Sequence, residues 1–274
     1  MTTRPNPYLS FGWHAVGDGL VSPTIFVGVY GSLQLHSWIT AETVELEEDA
    51  YSLFMSRSIS MGWSTAGGND LTKEPLWGMN EAEIDRPTDN LNGRIAWFQV
   101  GVSDRFDARP LPVLPILACA DDALNRVGEV HLDALQVFLP MHDDGDAAGH
   151  LVSGLNWFAI CDPDARTSVR ITIDGGDGSA VHHRAADILA TLQQINTGAF
   201  HFDSISIDDS MVVDPIPAVV DERWLVRGHP RLTLVATTPE WSVDALGWIV
   251  ALVAAVCGPS GRRPTPGLIS IGRN

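Results

Sequence analysis

Apolar and polar positions alternate most clearly in the C-terminal part of the chain. In Val169-Arg170-Ile171-Thr172-Ile173 every second side chain is apolar, the period of a half-buried strand. Asp174-Gly175-Gly176-Asp177-Gly178-Ser179 breaks that period with turn residues and ends in a hydroxyl suited to helix capping. Val181, Ala185, Ile188, Leu192 and Ile195 then recur at steps of four and three, which places them on one face of a helix. Asn196-Thr197-Gly198 stops the helix. Strands follow over residues 200–207 and over Arg231-Leu232-Thr233-Leu234-Val235-Ala236. Ser242 and Asp244 open a second helix, Gly258-Pro259 closes it, and Leu268-Ile269-Ser270-Ile271 is a last strand. From about Thr167 onward the predicted order is β-α-β-β-α-β, that of a ferredoxin-like, split β-α-β unit.

The second helix has almost no polar face, because Leu246, Trp248, Ile249, Val250, Leu252, Val253 and Val256 surround it. A helix that is apolar all round is buried on all sides. Its outer face is therefore expected to dock on the other half of the chain or on a second subunit.

The N-terminal half predicts strands over residues 23–30, 95–100, 112–119 and 130–139. Residues 40–55 suit a helix with Val44, Tyr51, Phe54 and Met55 on one face, though the same stretch tolerates a strand. Residues 64–92, rich in Gly, Asn, Asp, Glu and Pro, read as a long loop, and residues 142–150 as a linker. A short echo ties the halves together. Gly128-Glu129-Val130-His131-Leu132-Asp133-Ala134-Leu135-Gln136-Val137 returns as Gly198-Ala199-Phe200-His201-Phe202-Asp203-Ser204-Ile205-Ser206-Ile207. Such self-similarity marks duplicated architecture. The expected fold class is α+β: two related ferredoxin-like units in tandem. Residues 1–150 form the diverged, strand-rich one and residues 151–274 the clearer one.

The 274 residues are 45% hydrophobic and 19% charged, which is globular and sufficient for one large domain or two smaller ones. A net charge of -17 repels phosphate backbones and anionic bilayers, so neither nucleic acid nor membrane is an expected partner. Lys73 is the sole lysine and lies in a polar stretch, which argues against a desolvated Schiff-base nucleophile. Cys119, Cys161 and Cys257 are widely spaced within apolar runs and read as small buried hydrophobes. With no secretory h-region after Met1 and no apolar stretch long enough to span a bilayer, the expected compartment is a reducing cytoplasm.

Candidate chemistry lies mainly in the echo. Residues two apart on a strand share a face, so His131 with Asp133, and His201 with Asp203, form candidate catalytic acid/base pairs. A carboxylate beside an imidazole fixes its tautomer and raises its basicity. The competing role is structural, as hydrogen-bonding groups at a strand entrance. His142, Asp143, Asp144, Asp146 and His150 could suit a borderline divalent metal, but they match no EF-hand spacing and read as a solvated acidic loop. Two aspartates make residues 174–179 an ordinary β–α turn and not an anion site. Zincin, Cys-x-x-Cys, nucleophile-elbow and kinase signatures are absent, and no cofactor is implied. The nine tryptophans are not interleaved with positive charge and read as core or interface anchors.

The leading expectation is a non-enzymatic protein that binds itself or another protein subunit through an apolar surface. The first alternative is a small-molecule enzyme using His131/Asp133 or His201/Asp203 in a cavity between the halves. The second is an acidic inhibitor, of the immunity type, that covers the basic site of a toxin or nuclease.

Overall fold

The computed structural model describes residues 24–39, 46–64, 76–85, 93–102, 111–141, 145–176, 179, 181–195, 198–208, 230–258 and 265–274. Within them the chain runs β1 (Thr24–Leu35), α1 (Leu46–Ser60), β2 (Trp77–Ile84), β3 (Arg94–Val102), α2 (Val113–Val127) and β4 (Gly128–Met141). It continues through α3 (Gly145–Gly154), β5 (Thr167–Asp174), α4 (Ala185–Ile195), β6 (His201–Asp208), β7 (Arg231–Thr238), α5 (Val243–Cys257) and β8 (Thr265–Arg273). The architecture is mixed α and β, with one antiparallel sheet of eight strands in the order β2-β3-β1-β4-β8-β5-β7-β6.

Read inward from either edge, the order is the same: second, third, first and fourth strand of each half. The registers agree as well. Gly28 of β1 faces Gln136 of β4, Thr172 of β5 faces Ser270 of β8, and Gln136 faces Ser270 where β4 and β8 join the halves. This topology equates β4 with β8 and β2 with β6. The echoed segments lie in β4 and β6, one central and one at the edge, so they are not equivalent strands.

The echo instead records a shared local geometry. Tyr30 pairs with Ala134 and Gly31 with Leu132, which leaves Asp133 outside the ladder. In β6, Phe202 pairs with Ala236 and Ser204 with Val235, which leaves Asp203 outside it. Each aspartate is the extra residue of a β-bulge, and one extra residue reverses which alternate positions face the core. Val130 and Leu132 pack on the helix-side core before the bulge, and Leu135, Val137 and Leu139 after it. Phe202 and Ile205 repeat the switch. Gly31, opposite the first bulge, has φ 145°, and a Cβ there would lie 2.0 Å from the His131 carbonyl oxygen.

Two N-terminal expectations are corrected. Residues 112–119 begin helix α2, not a strand. Pro112 at its N-cap and Pro115 in its first turn resemble strand punctuation, but the first turn needs no intrahelical N–H donor. Val113, Ile116, Leu117, Ala120, Leu124 and Val127 are buried along one face. The stretch read as a long loop contains edge strand β2. Its alternation is broken because Asn80 is skipped in the pairing with β3. The linker region holds α3, and α1 starts at Leu46; residues 40–45 and 142–144 lie outside the described residues.

Helix α5 is enclosed by its own chain. It packs on β4 and β8 and contacts α2, α3 and α4. Ile249, Val250 and Val253 are fully buried, and Leu252 nearly so. Close approach requires glycine at two points. A Cβ on Gly247 would lie 2.9 Å from Leu117 Cδ1, and one on Gly154 would lie 2.4 Å from the Trp248 ring. Ser242 Oγ accepts from the Ala245 N–H at the start of α5, and Arg184 donates to the Val256 and Gly258 carbonyls (3.2 and 2.6 Å) at its end. A guanidinium there satisfies orphan carbonyls and opposes the negative end of the helix dipole.

Candidate functional site

The structure separates the predicted acid/base pairs. His131 and Asp133 are both exposed, next to the end of β1. His201 is partly buried and Asp203 exposed, on the edge strand β6. Strands β8, β5 and β7 lie between β4 and β6, which at the usual strand spacing is about 19 Å. The two pairs do not converge on one site. Within each, the aspartate occupies a bulge, and Leu135 and Val137 face the core instead of continuing the His-Asp face.

The other candidates divide in the same way. Asp174 Oδ1 accepts from the Gly176 N–H at 2.8 Å, and Asp174 Oδ2 accepts from Arg231 Nε at 2.7 Å, so this turn is internally bonded. His150 is exposed on α3; His142, Asp143, Asp144 and the Asp146 side chain lie outside the described residues. Among the described residues no three His, Cys, Asp or Glu gather closely enough to hold a metal. Cys119 and Cys257 are buried, and burial pushes both thiols up, that of Cys257 to about 12. Cys161 is only partly buried, and its neighbour Ile160 is fully in solvent, so that apolar run is not a core segment.

On the sheet face away from the helices, Phe26 stacks on Trp97 with ring centroids 5.5 Å apart, and Phe138 packs against them. Tyr30 donates to Gln136 Oε1 at 2.7 Å, and Trp97 Nε1 donates to Glu83 at 3.1 Å. These contacts are internal to the sheet and explain why polar groups can be buried on that side.

A different surface stands out between the halves. After α3 the chain makes two 3-10 turns, Leu155–Ala159 and Pro163–Ala165. A 3-10 helix repeats every three residues. Leu155 and Phe158 accordingly point inward, and Phe158 lies edge-on to Phe200 (5.1 Å) and Trp248 (6.0 Å). Trp157 and Ile160 fall outside that inward pair and are 72% and 97% exposed. The Trp157 indole is nevertheless held, because its Nε1 donates to Asp244 Oδ2 at 3.1 Å in the first turn of α5.

Carboxylates gather beside this indole. Burial pushes the Asp244 carboxyl above its usual range, and Glu240 adds to the rise, while the bond from Trp157 opposes it. Burial also raises Asp121, helped by the charges of Asp122 and Asp244 and opposed by a bond from Asn125. Asp122 pairs with Arg57 at 2.6 Å, and both are exposed. Asp162 and Asp164 are exposed just beyond Ile160. The sequence reading missed this site because tryptophan and isoleucine ordinarily signal a core; the only available hint was the lack of any helix or strand period around them.

A raised carboxyl stabilises the fold most when protonated. Its contribution is complete below the ordinary carboxylate range and is lost as pH rises through the raised folded value. Asp121→Asn should therefore raise the denaturant midpoint at neutral pH, and the gain should shrink towards zero in acid. Unfolding curves of both proteins across that range check this; a gain that persists in acid would assign the effect to packing. Comparison with protein-family models, with curated proteins and with solved structures gives no match to this chain.

Proposed function

We propose that this chain is a non-enzymatic protein-binding or assembly protein whose contact surface is the turn carrying Trp157 and Ile160. One observation carries the reading: a tryptophan and an isoleucine three positions apart stand largely in solvent while Leu246, Ile249, Val250, Leu252 and Val253 of helix α5 are buried. Among the described residues Trp157 and Ile160 are the two most exposed large apolar side chains, and they lie on one turn, unlike Trp38 or Ile207. Tryptophan is among the commonest interface anchors, and an indole already held by Asp244 loses little freedom on binding.

In this reading the scaffold is a tandem of two ferredoxin-like units joined through β4 and β8, which the matching strand orders support. The His131/Asp133 and His201/Asp203 segments serve as bulged strand entrances. Three free thiols suit a reducing, cytoplasmic setting. Copies carrying -17 each repel one another, which favours a different protein as partner.

The test is a photo-crosslinking amino acid placed at position 157 in cells that make the protein, with a control at Arg170, which is exposed on β5. The expected result is a discrete adduct from position 157, absent from position 170 and lost when Ile160→Asp is added. No adduct, or the same adducts from both positions, would overturn the reading.

A further inference from the structure

We infer that the occupant of this surface is a basic protein that seats an arginine on the Trp157 indole; the inference rests on the binding role proposed above. The indole is exposed on its outer side and bonded through Nε1 to a carboxylate, so its ring and Asp244 form one composite surface. Glu240 acts electrostatically on Asp244, and Asp122 and Asp244 act on Asp121. Asp162 and Asp164, two and four residues after Ile160, are also exposed. Among the described residues, Arg57 is paired with Asp122 itself, and Arg166 donates to the Gly198 and Ala199 carbonyls.

The chemistry selects arginine over lysine. A guanidinium is planar, stacks on an aromatic face, and can direct its edge to a carboxylate in the same pose. Lysine offers a compact, strongly hydrated charge that gains less from the ring. Two carboxyls whose pKa values are already raised also gain the most from an arriving cation, because it favours their charged forms. Ile160 supplies the apolar contact beside this charged one.

The probes are hexa-arginine amide and hexa-lysine amide, titrated into the full chain labelled with 5-fluorotryptophan. Fluorine resonances are assigned by Trp157→Phe and Trp38→Phe. Trp38, 64% exposed and stacked on His36, is the control for general attraction to an acidic protein. The expected result is a saturable shift of the Trp157 resonance, severalfold tighter for arginine than for lysine and weakened by salt. It should be reduced in Asp244→Asn and, separately, in the exposed-site variant Asp122→Asn, while Trp38 stays still. Equal shifts at Trp38 and Trp157, equal response to both peptides, or no shift would overturn the arginine inference. If the crosslinked adduct at position 157 persists in that case, the binding role stands and the partner's contact is apolar; if the adduct is absent too, both fail.

Discussion

Leu252→Asp should abolish cooperative folding instead of changing the oligomeric state. Leu252 is 1% exposed on α5, which is covered by β4, β8, α2, α3 and α4 of the same chain. No described cation bonds that position, so the new carboxylate would be buried without a partner. Burying an unpaired charge costs several kcal/mol, and the leucine's own burial is lost as well. The sum is comparable with a typical domain stability of roughly 5–15 kcal/mol. Leu252→Ala, which leaves a cavity but no charge, should remain folded with a loss of about 2–5 kcal/mol. Circular dichroism with denaturant titration reads both, and sedimentation gives the mass. An aspartate variant with an unchanged midpoint and altered mass would show that α5 packs between subunits.

Arg231→Met should cost about 3–5 kcal/mol, the range for breaking one side of a buried ion pair. Arg231 Nε lies 2.7 Å from Asp174 Oδ2, with side chains 7% and 2% exposed. The pair ties the end of β5 to the start of β7, while the other carboxylate oxygen holds the Gly176 N–H. Removing the guanidinium strands the carboxylate in the interior. The double variant Arg231→Met/Asp174→Asn removes the charge and retains an oxygen for Gly176, so it should lose clearly less than the sum of the single variants. A double-mutant cycle by denaturant unfolding measures that coupling. Strict additivity would show that the pair contributes nothing as a pair. Arg94, also the first residue of the third strand in its half, bonds Asp85 at 2.8 Å through Nη2, so the same position is anchored by an ion pair in both halves.

The C-terminal elements were legible because local signals agreed. Strand alternation, a helical step of three and four, and capping residues all coincide between Val169 and Ile271. The burial of α5 followed from its composition alone. Its covering elements did not, because they come from both halves and from the linker between them. Helix α2 was hidden because Pro112 and Pro115, harmless at a helix start, shorten the visible helical pattern, and residues 112–119 read as a strand. Strand β2 was hidden because an edge strand tolerates the exposed Glu81 and a Glu83 bonded to Trp97, and carries a bulge at Asn80.

The Gly–His–Asp echo shows most clearly how far a local pattern reaches. It specifies a bulge and a switch of the core-facing residues, both local properties of a strand. A strand's place in the sheet depends on which distant strand pairs with it, so equal segments came to lie at the centre and at the edge. The same limit applies to Trp157. As a residue type it belongs in a core, and only the three-residue period of the turn, pinned by Phe158 against Phe200 and Trp248, turns it outward. Periodicity along a chain says which side chains seek burial; the supply of neighbours to bury them is settled only when distant elements meet.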